Sequence, residues 1–201
     1  MRARRLEFWF EYASTYSHLA AFRVEQLTRA AGFEVDWKPF LLGPIFSAQG
    51  WNDSPFNIYP AKGRYMWRDM QRLAAKYEIE FHRPSAFPRN GLLAARVTIA
   101  GAHERWLPDF VRAVYHANFA QDRDISKRET IEEILRALGA DPAAILALAL
   151  SDENKAKLRE QSERAATRGI FGAPAFFAGD EMFWGSDRLE DAIAWLKRAA
   201  L

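Results

Sequence analysis

No cysteine occurs at any of the 201 positions. Its absence excludes disulfides, thiolate metal centres and a protein-borne thiol nucleophile, so any thiol chemistry must use a thiol from outside. An excess of either charge is missing too. The 28 Lys and Arg are nearly matched by 26 Asp and Glu, a net of +2. These charges are interspersed rather than collected, which gives no footprint for nucleic acid. No stretch reaches the roughly 18 consecutive apolar residues of a membrane span. The basic opening Met1-Arg2-Ala3-Arg4-Arg5 runs directly into Leu6-Glu7-Phe8, without the apolar run and cleavage site of a secretory signal. The expectation is a cytoplasmic protein. His18, His82, His103 and His116 lack metal-ligand spacing and read as ordinary surface or partly buried histidines, so no metal is expected.

What is present is apolar: 49% of the residues are hydrophobic and 14% aromatic, enough for a substantial core. Leu6, Phe8 and Phe10 alternate with Glu7, Trp9 and Glu11, predicting a first strand whose second face Trp9 makes partly apolar. After the small polar turn Ala13-Ser14-Thr15, Leu19, Phe22, Leu27 and Ala30 repeat at helical spacing up to Gly32. Phe33 to Phe40 alternates again. Strand, helix and strand within about 35 residues define a right-handed parallel βαβ unit.

The stretch Leu41 to Tyr59 holds Gly43-Pro44, Gly50 and Asn52-Asp53-Ser54-Pro55, a long loop or partly helical segment. Helices are predicted from Pro60 to Tyr77, after Asn90, and from Leu107 to Phe119. Ser126 and Glu129 have the spacing of a capping box for the next, which Gly139 ends. Asp141-Pro142 and Ser151 open two more. Ala175 to Ala178 and Met182 to Trp184, separated by Gly179-Asp180-Glu181, read as a hairpin, and a helix from about Asp187 closes the chain.

The order βαβ, helices, ββα resembles the thioredoxin-like fold with a large helical insertion between its halves. Residues 1–60 and 168–201 would form the thioredoxin-like domain and 61–167 the inserted helical domain, an α/β architecture. Four motifs carry a narrower resemblance: Phe10-Glu11-Tyr12-Ala13-Ser14-Thr15-Tyr16-Ser17, Asn57 with Pro60-Ala61-Lys62, Phe171-Gly172-Ala173-Pro174-Ala175-Phe176, and Met182-Phe183-Trp184-Gly185-Ser186-Asp187-Arg188-Leu189. In that order they are similar to the kappa-class glutathione transferases and, more closely, the 2-hydroxychromene-2-carboxylate isomerases. Thr15 stands where the isomerases often have proline. Ser47-Ala48-Gln49 stands where a basic residue is expected.

The resemblance implies a glutathione-dependent isomerase of an aromatic α-keto acid or its hemiketal, a homodimer active in aromatic catabolism. The alternatives are a kappa-like transferase and a non-catalytic thioredoxin-fold binding module. Ser14 would contact the glutathione sulfur. By pattern alone Ser14 or Ser17 is equally a helix cap, but a hydroxyl at a helix N-terminus can also stabilise a thiolate. Ala173 and a cis Pro174 would pair with the glutathione backbone, Ser186, Asp187 and Arg188 would hold its γ-glutamyl end, and Asn57 with Lys62 its glycyl end. For the second substrate, Arg89 and Asn90 are candidates to bind a carboxylate and Trp51 a flat ring.

Overall fold

The computed structural model describes residues 5–198; the basic opening at 1–4 and the last three residues lie outside that range. Four strands, β1 (Arg5–Phe10), β2 (Glu34–Pro39), β3 (Ala175–Ala178) and β4 (Glu181–Trp184), form one sheet in the order β2-β1-β3-β4. β1 runs parallel to β2, with Leu6 opposite Val35 and Phe8 opposite Trp37, and antiparallel to β3, with Phe8 opposite Phe176. The helix joining the parallel pair is α1 (Thr15–Ala30). The architecture is a thioredoxin fold of the α/β class.

Alternation in β1 produces two apolar faces. Phe8 lies 5.0 Å from Phe10 and 5.3 Å from Phe176, ring to ring, in the larger buried cluster. Trp9, 1% exposed, points the other way to join Phe40, Ile45, Ala165, Ile170 and Phe177. A strand buried on both faces must be covered on both sides. The second face is covered by α2 (Leu42–Ala48) and α9 (Asp152–Thr167), which contribute Ile45 and Ala165. α9 also caps the end of β2, since the Ser162 hydroxyl accepts the Leu41 N–H at 3.2 Å.

Between the halves lie α3 (Pro55–Ile58), α4 (Pro60–Tyr77), α5 (Leu92–Ala100), α6 (Leu107–Phe119), α7 (Arg128–Ala137) and α8 (Pro142–Ala149). One buried cluster joins α5–α8 to the sheet, placing Val114 and Ile131 with Phe8 and Phe176, while α4 packs Met66, Met70 and Ala74 on Leu19 of α1. After β4 the turn Ser186–Arg188 leads into α10 (Leu189–Arg198).

The predicted boundaries hold at α8 and α9, where Asp141 accepts from the Ala143 N–H and Ser151 from the Asn154 N–H. The capping box before α7 does not form. The Ser126 hydroxyl donates to Asp124 at 2.7 Å instead, and Lys127 takes the cap position without a side-chain bond. His18 also departs from expectation, because it is wholly buried among the rings of Phe22, Phe81, Tyr115 and Phe119. Its Nε2 lies 3.2 Å from the Glu80 carbonyl oxygen while Nδ1 has no partner. Burial holds its pKa down at about 4. No helix among the described residues is long and apolar enough to cross a membrane.

Candidate active site

A cavity of about 1720 Å³ opens where the C-terminal end of β1, the N-terminus of α1 and the turn before β3 meet the α2–α4 segment and residues 87–92. At its floor is Ser14. The turn carrying it closes by a 3.0 Å bond from the Ser14 N–H to the Glu11 carbonyl. Side chains from α6 hold that turn from behind: Tyr115 donates to the Glu11 carbonyl at 2.8 Å and Asn118 to the Tyr12 carbonyl at 3.2 Å. Tyr12 in turn reaches Thr98 on α5. Gly91 is required for this fit, because a Cβ there would come within 2.6 Å of the Tyr12 Cβ.

Ser14 is the N-cap of α1, and its Oγ accepts the Ser17 N–H at 3.2 Å. The same hydroxyl donates to the Ala173 carbonyl at 2.9 Å, across 159 positions of sequence. Both readings of Ser14, helix cap and site residue, therefore meet in one oxygen. The Thr15 and Tyr16 N–H groups, first in the helix, have no acceptor among the described residues, the usual condition of a helix start. The Ala173–Pro174 bond is cis. Ala173, Pro174, Ser186, Asp187 and Arg188 all line the cavity. Gly185 adopts φ 113°, and a Cβ on it would meet Asp187 Oδ1 at 2.5 Å, so only glycine lets Asp187 lie back over the turn.

The opposite wall treats its predicted residues differently. Lys62 lines the cavity, its ammonium 4.8 Å from the centre of the Tyr59 ring. Trp51 lines it too, packed on Phe46 at 5.5 Å. Asn57 is not part of the lining, because its amide is spent on Asp53 and on the Phe87 carbonyl at 3.1 Å. Arg89 is only 8% exposed, and both terminal nitrogens are engaged, by Asn118, the Arg123 carbonyl, Ser85 and Asp122. Arg89 nevertheless lines the cavity, with little of its guanidinium left for a substrate carboxylate. Its observed work is to fix Asn118, which holds the Ser14 turn. Asn90 lines the cavity while its Oδ1 accepts the Leu92 N–H at 2.8 Å, capping α5.

Sequence reasoning missed Glu11 as a site residue. It lines the cavity, and its Oε2 accepts the Ala13 N–H at 2.9 Å. Burial pushes this carboxyl up to about 7, against the opposing pull of that N–H. A signal was present: an acidic residue follows directly on the aromatic run Phe8-Trp9-Phe10, three positions before the serine. The exposed pair Phe171 and Trp184, 4.8 Å apart at the rim, was likewise read only as turn and strand. Among the described residues no group of acidic or histidine side chains could hold a metal ion.

Residues 5–194 match the model of the DSBA-like thioredoxin domain. Two curated 2-hydroxychromene-2-carboxylate isomerases are similar along nearly their whole length. That of Sphingobium xenophagum is 29% identical over 195 residues, 96% of this chain and 98% of the relative. That of Pseudomonas sp. (strain C18) is 30% identical over 188 residues, 92% and 86% of the two chains. Glutathione s-transferase kappa 2 of Caenorhabditis elegans is 26% identical over 208 residues, covering 95% and 91%. A solved 2-hydroxychromene-2-carboxylate isomerase matches the fold with a TM-score of 0.87 at 26% identity, over 98% of this chain and 96% of that one. The chain belongs to the DSBA-like thioredoxin family and, within it, to the 2-hydroxychromene-2-carboxylate isomerase family.

Proposed function

We propose that this protein is a glutathione-dependent isomerase acting on an aromatic α-keto acid or its cyclic hemiketal, of the 2-hydroxychromene-2-carboxylate type. The observation that carries the reading is the Ser14 hydroxyl, set at a helix N-terminus and bonded to the backbone of Ala173 on the cavity floor. When bound, glutathione supplies a thiolate that adds reversibly to a conjugated carbon, allows rotation about the former double bond, and leaves unconsumed.

The residues present fit that group. Ser14 carries a single hydroxyl proton, now given to the Ala173 carbonyl. Donating it to a sulfur anion instead releases that carbonyl to accept a peptide N–H, so thiolate recognition and backbone recognition become one event. The unpaired N–H groups of Thr15 and Tyr16 add the positive end of the α1 dipole. Together such contacts are worth roughly 1.5–3 kcal/mol for a charged acceptor, or about one to two units of thiol pKa. On the side walls Asp187 suits an ammonium and Lys62 a carboxylate. Trp51, Phe46 and the rim pair Phe171 and Trp184 offer flat apolar surface for an aromatic substrate.

The test uses Ser14→Ala with glutathione and 2-hydroxychromene-2-carboxylate. The variant is expected to stay folded and to lose about 10²-fold in activity; full activity overturns the role of Ser14. Product analysis on the unaltered protein separates the alternatives. Rearranged substrate beside recovered glutathione supports the isomerase, whereas an accumulating conjugate means a kappa-like transferase. A melting temperature unmoved by millimolar glutathione means a binding module without this ligand.

A further inference from the structure

We propose that Glu11 is the proton acceptor for the thiol bound at Ser14, so that carboxyl and sulfur share one proton and the cavity floor holds no more than a single negative charge. The inference rests on the glutathione reading above. It is carried by position. Glu11 and Ser14 belong to one turn, joined by the 3.0 Å bond from the Ser14 N–H to the Glu11 carbonyl. The Glu11 side chain folds back along that turn, where Oε2 takes the Ala13 N–H. Oε1 has no hydrogen-bond partner among the described residues, which leaves it for a ligand in the cavity that Glu11 lines.

The surroundings leave Glu11 without a counter-charge. From α6 it faces Tyr115, whose hydroxyl is committed to the Glu11 main chain. Within its own turn it has Tyr12, bonded to Thr98. Across the gap Gly91 packs against it, and the neighbouring Arg89 spends its terminal nitrogens on Asn118, Asp122 and the carbonyls beside them. The remaining charged groups of the cavity, Lys62 and Asp69 on α4, Asp53, Asp187 and Arg188, make no hydrogen bond or ion pair with it. The enclosure also raises the carboxyl to about 7, so it gains and loses a proton in the range where the reaction must run.

A second anion brought beside Glu11 on this floor opposes the first, and their titrations couple. The step balances simply. The thiol S–H bond breaks, an O–H bond forms on Oε1, the electron pair stays on sulfur, and charge passes from carboxylate to thiolate with no proton lost to solvent. Departure of the thiol reverses it.

The experiment mixes glutathione with the protein at neutral pH. It records thiolate by ultraviolet absorbance and released protons with an indicator dye, using S-methylglutathione as the control without a thiol proton. The unaltered protein and Glu11→Asp are expected to release well under one proton per thiolate formed. Glu11→Gln, titrated upward until its thiolate appears, is expected to release one. Equal release from Glu11→Gln and the unaltered protein overturns the proposal. If S-methylglutathione and glutathione both fail to bind the unaltered protein, the glutathione reading itself has failed, a result separable from the first.

Discussion

The cavity has two walls of different construction. Its floor is backbone: the Ser14 turn closes on the Glu11 carbonyl, Ser14 reaches the Ala173 carbonyl, and the turn is held from behind by Tyr115 and Asn118. The far wall is side chain on loops and on α2–α4, and Arg89 in it and Asn57 behind it have found partners within the protein. Geometry that the sheet and a helix start impose leaves few options. A long polar side chain on a loop has several, and satisfying a buried guanidinium with carbonyl groups competes directly with leaving it free for a substrate.

The sharpest test of this contrast is Arg89→Met. If Arg89 belongs to the scaffold, the change strands the carbonyl groups of Asn118, Asp122 and Arg123 and costs about 3 kcal/mol of stability in urea unfolding. The KM for the aromatic substrate should then be nearly unchanged in the folded fraction. A raised KM with stability intact would return Arg89 to the binding wall and break the comparison.

A second test opposes two enclosed groups. His18, held at about 4 against its ordinary 6.5, binds fewer protons folded than unfolded. Its contribution is complete above about pH 6.5 and lost as pH falls through 4. Glu11, raised to about 7 from 4.5, binds more protons folded, so its penalty is absent below about 4.5 and complete above 7. Each amounts to as much as about 3 kcal/mol, and between about pH 4.5 and 6.5 the two slopes cancel. Unfolding free energy measured against pH should therefore fall across that window in His18→Gln and rise across it in Glu11→Gln. A flat profile in both variants would remove either group from the account. The smallest effect belongs to Lys62→Ala. An exposed lysine contributes under about 1 kcal/mol, so the KM for glutathione should rise about threefold to fivefold with kcat unaltered.

How much of this was legible in the sequence follows the same division. The strands, the helix starts at Asp141 and Ser151 and a cap at Ser14 were readable because apolar period and turn chemistry act locally, whereas Ala173 and Pro174 were singled out only by the resemblance to a family. Ser126 misled because its hydroxyl donates to Asp124, two residues back, instead of accepting a helix N–H. The fate of Arg89 was illegible, since all its partners but Ser85 lie about thirty positions downstream. Glu11 was visible as a letter but not as a carboxyl near neutrality, because its enclosure is made by Tyr12, Tyr115 and Gly91, which only the fold brings together.

The bond from Ser14 to Ala173 spans 159 positions, and that span has a consequence for how the protein is born. On the ribosome the serine emerges early, with its turn and helix, yet its acceptor arrives only after the entire helical block has been made. A nascent chain stopped anywhere in that block presents a hydroxyl without its floor. The turn before β3, which brings Ala173 to the floor, follows that block in the chain, so no chain that stops within it can close the Ser14 contact.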